Sequence, residues 1–526
     1  MLKKSVSLIV AICLLVSVLV VSGLSAASND EVLYVSMNPY ENIDWAAVNA
    51  YRAQFHVHTW RSDGTSPSAD KIRDYYDKGF DILAIADHDV LCNGDWTQIG
   101  YGAWDPGSST NHGRPLGVRD ITLTQDEKDA IINGTAGPFN IATRTPTTIN
   151  PNTAFTGTRQ QSNGMIPIPY VTEHSTNIEH FVSMWTDFVM TPGNHVTKET
   201  AMQIVEDQNG IGFIPHPGRY TGGFPGGDPN INNQAWADAG AAASNDPANI
   251  AHYVDLFMRF PRTVGMEIFN RLDNETVSDR ILWDNILMET MPQGRNVFAF
   301  STDDTHRVQS SGFSWNVMLL PELTADATKS ALENGEFFAV TRVARREGVN
   351  ADAFRWGYGN GGPSTQPLLY QTNIPGITEI ATTNNNSVIT ITGYNYDVIE
   401  WIADGVVIHT GNSLDLNAHA DVIYSYVRAQ MLSNHGALMT NAFGVGGSVP
   451  NNPVVSDANG TESDPAAPES DTDVPTSTPV SGADVGGGAA GGGNQPDAGV
   501  LAPIAALITL TIGSGGALLA RKKKIK

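Results

Sequence analysis

Six short apolar runs, "AQFHVH", "FDILAIAD", "MIPIPYVTE", "GIGFIPH", "VGMEIFN" and "NVFAFSTD", lie between about residue 45 and residue 345, with helical patterns among them. Continuous apolar runs of this length, bounded by turn residues, suit strands buried on both faces. Repeated strand–helix units close into a parallel sheet or a barrel. The helical stretches carry their own punctuation. In "SPSADKIRDYYDKGF" Ser66 is placed to cap, Pro67 suits the first helical position and Gly79 suits the stop. Thr197 and Gly210 bracket a second helix, and Thr324 and Gly335 a third.

The runs end in groups that bind metals. His56 and His58 stand two apart on one strand and so share a face. Asp63 follows on the loop, and His88, Glu173, His216, Asp304 and His306 close later runs. Each reads singly as an ordinary polar residue. Together, in this order and all at strand ends, they are hard to assign to core packing. A carboxylate such as Glu173 closing so apolar a run is costly unless paired or ligating. Imidazole with carboxylate suits Zn, Fe or Mn, and this many groups suffice for two or three divalent ions with positions left for water. Ends of strands are also where active sites of such folds gather.

Other residues extend the site. Arg61, Arg219 and Arg307 each neighbour a candidate ligand, and guanidinium grips phosphate in a two-pronged way. These three, with Asn270, are the expected substrate-binding residues. Arg219, on the rigid turn after His216, is the strongest of them and, with His180, the expected catalytic pair. His180, seven residues after Glu173, is placed to protonate a leaving group or hold substrate. Glu267 is placed to orient a ligand from behind.

The motifs "HVHTWRSDG", "ADHD", "HPG" and "DDTH" resemble those of the PHP (polymerase and histidinol phosphatase) superfamily, over about residues 50–345. "TEHSTNIEHF" and "GMEIFN" are similar to its exported carbaryl-hydrolase-like (CehA/McbA) branch. The resemblance implies a distorted (β/α)7 barrel over 45–345. It implies that His56, His58, Asp63, His88, Glu173, His216, Asp304 and His306 ligate a two- or three-metal cluster of Zn, Mn or Fe that activates water. The expected activity is metal-dependent hydrolysis of small or nucleotide-like phosphate esters, with 5′–3′ exonuclease action as a variant. A carbamate or carboxylic-ester hydrolase would use the same chemistry without an arginine clamp. A surface binding protein that keeps the barrel for display is the reading from another class.

Charge and the chain ends set the context. With 31 Lys+Arg against 55 Asp+Glu the formal charge is −24, which argues against a stable nucleic-acid complex. Cys13 and Cys92 are the only cysteines, and Cys13 falls in a segment expected to be removed, so no internal disulfide is expected. Lys3 and Lys4, the apolar stretch Val6–Val21 and the small residues Ser25, Ala26 and Ala27 follow the plan of a secretory signal over 1–27. Residues 91–165 are rich in Gly, Asn, Thr and Pro, with Trp96 and Trp104, and are expected to form a rim over the site. Alternation over 370–447 predicts a small antiparallel β-sandwich. The Asp, Pro, Ser, Thr and Gly content of 455–498 predicts a disordered stalk. The stretch 499–520 has no charge and, at 1.5 Å per residue, reaches roughly 33 Å as a helix, enough to span a bilayer core. The basic tail 521–526 would then stay inside, and the body would be anchored at the cell surface. "QPDAG" shares Pro496 and Gly499 with a sortase-type pentapeptide but departs from it at Gln495 and Ala498, which leaves sortase-type processing as an alternative to the retained anchor.

Overall fold

The computed structural model describes residues 32–99, 121–141, 163–176, 179–190, 195–221, 234–270, 279–308, 311–342, 344–345, 355–356, 374–433 and 435–447. Two mixed sheets organise them. The larger runs in the order Tyr34–Met37, Phe443–Gly446, Tyr426–Ser433, Gly436–Thr440, Phe337–Thr341, Ser314–Leu320, Asn49–Gln54, Ile82–Leu83, Ile166–Pro167. The hairpin Val398–Ala403 and Val406–Thr410 branches from Tyr426–Ser433. Within this sheet only the pairings of Ile82–Leu83 with its two neighbours are parallel. The second sheet runs Phe298–Thr302, Thr263–Asn270, Ile211–Ile214, His180–Met184, Thr172–Ser175. Its first two pairings are parallel and its last two antiparallel.

The expected (β/α)7 barrel is therefore replaced by mixed, non-barrel sheets. Four strands account for the difference. Ser314–Leu320 and Phe337–Thr341 pair antiparallel although the helix Ala325–Asn334 lies between them. His180–Met184 enters antiparallel on both sides, between Thr172–Ser175 and Ile211–Ile214. In "MIPIPY" the prolines lack the N–H a ladder needs, and the strand Ile166–Pro167 stops at two residues. The free-standing sandwich expected over 370–447 is corrected as well. Gly376–Thr383, Val388–Tyr394 and Ser413–Asp415 form a separate three-stranded sheet, whereas the strands from Val398 to Gly446 other than Ser413–Asp415 join the large one. Arg428 on that sheet clamps Asp284 of the helix Asp279–Thr290 through Nε and Nη2, both at 2.7 Å.

The membrane anchor is also corrected. Among the described residues no helix is long and apolar enough to cross a bilayer. Of these helices the longest, Pro247–Arg259, has 13 residues, short of the roughly 20 a span requires. Membrane attachment and cell-surface anchoring are corrected to the same extent: no helix among the described residues supplies them. The segments read as signal peptide (1–27), stalk (455–498), anchor (499–520) and tail (521–526), and Trp104 of the rim, lie outside the described residues.

Local signals fared better. Thr197 accepts from the Thr200 amide at the start of Lys198–Asp207, and Thr324 from Ala327 at the start of Ala325–Asn334. Gly335 ends the latter helix at φ 77°, the left-handed geometry that favours glycine. Ser66 does not cap Ser68–Asp77; its Oγ accepts from the Val308 amide at 3.3 Å and ties that helix to a later loop. Trp96 is no rim residue. It is buried and donates to the Leu83 carbonyl at 3.1 Å. Below the site, Phe213 and Phe300 stack at 4.4 Å, and the His56 ring lies 6.5 Å from Phe213.

Candidate metal centre

The site forms where the ends of the two sheets touch. Isolated bridges join Val57 to Thr305 and His88 to Glu173. His56 and His58 emerge from Asn49–Gln54, and the Gln54 side chain steadies that exit by accepting from the amides of Phe55 and His56 at 3.1 and 3.2 Å. Glu173 sits in Thr172–Ser175, and His216 follows Ile211–Ile214 on a Pro-flanked turn. Asp304 and His306 follow Phe298–Thr302. Two of these residues hold positive φ, 30° at His216 and 40° at Asp304. Non-glycine residues so placed cost of order 1–3 kcal/mol and persist where the surroundings over-determine them.

Glu173 is the hub. It is buried, and its Oε2 lies 3.2 Å from Nε2 of His56, 3.2 Å from Nε2 of His58 and 3.3 Å from Nδ1 of His88. Its Oε1 lies 2.9 Å from Nδ1 of His180 and 3.4 Å from Nε2 of His216. Asp304 Oδ1 is 3.1 Å from His58 Nε2 and 3.6 Å from His56 Nε2. On the opposite side of His58, Asp63 Oδ2 lies 2.8 Å from His306 Nε2 and 3.8 Å from His88 Nε2. All eight expected ligands are thus brought together, and His180 joins them. Five overlapping groups of three could each hold a cation, among them His56–His58–Glu173, His58–Asp63–His88 and His88–Glu173–His180. His56, His58, Glu173, His216 and Asp304 are buried, whereas Asp63, His88, His180 and His306 are half-buried and face the open side.

The tautomers favour cation binding. His56 Nδ1 donates to Glu267 Oε1 at 2.7 Å, which leaves the Nε2 lone pair facing Glu173 and Asp304. His306 Nδ1 donates to the Asp304 carbonyl at 2.9 Å, which leaves its Nε2 lone pair facing Asp63. His56 Nε2 and His58 Nε2 lie 3.0 Å apart, and Glu173 Oε2 beside them has no hydrogen-bond donor. Lone pairs and a carboxylate oxygen gathered around one point need either a proton or a metal. In the ion-free protein the need falls on protons. Burial opposes the charged form, yet Asp63, Glu173 and Asp304 push the His58 imidazole up to about 10, and Glu173, Asp304 and Glu267 raise that of His56. Burial depresses His180 to about 4 against the pull of Glu173, so its ring is neutral at pH 7 and available as a ligand.

The remaining expected residues fall into two sets. Asn270 is buried and donates to Glu267 Oε2 at 2.8 Å and Asp304 Oδ2 at 3.3 Å, so it braces both carboxylates. Arg219 and Arg307 are exposed, each next to a candidate ligand, and Arg61 is half-buried between His58 and Asp63. Sequence reasoning missed Asp87. This buried carboxylate accepts from the Thr59 amide and hydroxyl at 2.6 and 2.5 Å, from Ser62 Oγ at 2.5 Å and from Gln98, and so fastens the His58–Asp63 loop to the His88 turn. An aspartate on either side of His88 in "ADHD" was the available signal.

No family model matches this chain, and no curated protein matches it. Among solved structures the chain is similar to a two-domain protein from Bacteroides vulgatus containing a predicted PHP-like metal-dependent phosphoesterase, at 13% identity and TM-score 0.35, covering 79% of this chain and 92% of that one. It is similar to a lesion-specific endonuclease from Pyrococcus furiosus at 10% identity and TM-score 0.27, covering 54% and 56%. It is also similar to an amidohydrolase from Chromobacterium violaceum with bound sulfate and no metal, at 12% identity and TM-score 0.24, covering 48% and 87%. Likeness at this level is distant, and the functional reading rests on the site itself: clusters of His, Asp and Glu suited to a metal-dependent hydrolase.

Proposed function

We propose that this chain is a metal-dependent phosphoesterase acting on small or nucleotide-like phosphate esters. The observation that carries the reading is Glu173, a buried carboxylate whose two oxygens face five imidazoles. Such an arrangement is expensive to bury without cations and is the donor set of a cluster of two or three Zn, Mn or Fe ions. When bound, the ions lower the pKa of water and offset charge growing on substrate oxygens.

The side chains divide the remaining work. His56, His58, Glu173 and Asp304 form the buried ligand group. Asp63 and His88 form a second with His58 toward the open side, with His306 beside Asp63. His180 and His216 flank Glu173 Oε1, and His180 is assigned as a ligand. Glu267 fixes His56 through Nδ1 and His216 through its amide at 2.9 Å, so one carboxylate sets the aim of two ligands. Arg61, Arg219 and Arg307 lie within three residues of candidate ligands along the chain, and guanidinium groups that reach the site from there would favour a phosphate over an uncharged ester. The test is hydrolysis by the full chain, loaded with Mn2+, Zn2+ or Fe2+, of a phosphomonoester, a phosphodiester, a carbamate and a carboxylic ester. Phosphate-ester turnover abolished by chelation is expected. Turnover confined to the carbamate or carboxylic ester would overturn the phosphate assignment, and no bound metal would overturn the reading altogether.

A further inference from the structure

The turn carrying Asp304 and His306 serves both ligand groups, and Thr305 between them is held by an unusual partner. Lys71, fully buried on the helix Ser68–Asp77, points its Nζ at Thr305, 2.9 Å from the carbonyl and 3.0 Å from the hydroxyl. The same carbonyl accepts from the His58 amide at 3.0 Å. The Thr305 hydroxyl donates onward to the Arg307 carbonyl at 2.7 Å. One buried amine therefore touches the point where the His58 strand and the Asp304–His306 turn are stitched together. Its neighbours on the same helix face grip the rest of that loop. Tyr75 donates to Asp303 at 2.7 Å, and Lys78 donates to Ser311 Oγ at 2.6 Å while pairing with Asp74 at 2.8 Å. Asp303 in turn accepts from the amides of Gly312, Phe313 and Ser314 at 2.6, 2.8 and 2.9 Å.

We propose that Lys71 is a positioning residue for the metal centre: its Nζ holds the Thr305 carbonyl and hydroxyl and thereby fixes Asp304 and His306 toward the buried and the open ligand groups together. A lysine amine is costly to bury for packing alone, burial pushing it down to about 7, and its two hydrogen bonds both go to the residue between two ligands. Asp304 sits at a positive φ, a geometry that relaxes unless its neighbours hold it. The inference rests on the reading of this site as a metal centre.

The test compares wild type with Lys71→Met, which keeps the length of the side chain and removes the charge and donors. Full chains are titrated with Mn2+ and with Co2+ against a competing chelator, and the Co2+ absorption spectrum is recorded. Loss of about 10- to 100-fold in affinity for at least one ion is expected, the range for partners that orient ligands. An altered Co2+ spectrum is expected with it. Arg428→Met, which breaks the distant Asp284 pair, is the control for stability and should keep wild-type affinity and spectrum at a similar loss of Tm. Thr305→Val, which removes one of the two acceptors, is the second variant should Lys71→Met not fold, with a smaller loss expected. Wild-type affinity and spectrum in Lys71→Met, or in Thr305→Val if only that folds, overturns the proposal. So does an equal loss in Arg428→Met. A wild-type chain that binds neither metal overturns the metal-centre reading instead, which keeps the two failures apart.

Discussion

Replacing Glu173 by glutamine tests the centre most directly, because the change keeps size and shape and removes one charge. The carboxylate lies 3.2 Å from Nε2 of both His56 and His58, and 2.9 Å from Nδ1 of His180. A fully charged pair near 3 Å attracts by about 5 kcal/mol at an effective dielectric near 20, so the group dominates the local field before desolvation is subtracted. Partners that only orient ligands are worth about 10- to 100-fold in affinity or activity. Glu173 offers an oxygen to each of two candidate ion positions and should exceed that range. The expected loss in kcat/KM is about a thousandfold, or ~4 kcal/mol, with at least one ion per chain lost. The group of His58, Asp63 and His88 takes its carboxylate from Asp63 and not from Glu173, so partial metal content is expected to remain. Metal content by inductively coupled plasma mass spectrometry and hydrolysis of p-nitrophenyl phosphate read the two effects separately. A Glu173→Gln chain that keeps its full metal complement and activity within tenfold would refute the argument that this carboxylate is shared between ions.

Three further outcomes are expected. Arg219→Ala should lower kcat/KM for a phosphate ester by about 10- to 100-fold, ~1.4–2.7 kcal/mol, and leave a carboxylic ester nearly untouched; equal losses on both would argue against a phosphate clamp. Removal of metal with a chelator should lower Tm and re-addition should restore it, since a ligand at about 100 times its Kd contributes about 2.7 kcal/mol; a Tm indifferent to metal would contradict a cluster bound by the folded state. Asp404 concerns pH and stability. Burial pushes its carboxyl up to about 6, partly offset by the Tyr424 amide and Ser425 hydroxyl. A folded pKa above the unfolded value contributes stability that is full below about pH 4 and is lost as pH rises through about 6. Asp404→Asn should therefore gain of order 1 kcal/mol on wild type at pH 7.5 relative to pH 4, after allowance for solvent screening. Chemical denaturation at the two pH values checks it, and a pH-independent difference would exclude the charge as the cause.

The site was far more legible than the fold, for a physical reason. Ligands must be particular residue types, and types are written in the sequence. His56, His58, Asp63, His88, Glu173, His216, Asp304 and His306 each read singly as ordinary polar residues, but so many imidazoles and carboxylates at the ends of apolar runs are together hard to assign to core packing, and the structure gathers them in one place. His180 was seen as chemistry but given a different role, since only the fold shows that His180–Met184 pairs beside Thr172–Ser175 and brings its Nδ1 to Glu173. Strand direction, in contrast, is not encoded in hydrophobic period. "SWNVMLL" and "FFAVT" flank a helix just as parallel strands would, yet they pair antiparallel, Ser314 opposite Thr341 and Met318 opposite Phe337.

That mismatch bears on how the centre is held. In a closed parallel barrel every ligand would leave its strand at the same rim, supported by a continuous ladder. Here Glu173 and His180 lie on a ladder while His56, His58, His216, Asp304 and His306 lie beyond strand ends, and among the described residues isolated bridges, Val57 with Thr305 and His88 with Glu173, join the sheets there. Buried polar contacts take over the support: Asp87 on the Thr59–Ser62 loop, Glu267 on His56 and the His216 amide, and Lys71 on Thr305. Each donates to or accepts from a residue beside or within the ligand set. A centre built this way should be sensitive to substitutions well behind the ions, because removing one buried partner leaves another unsatisfied at about 1–3 kcal/mol and frees a ligand at the same time.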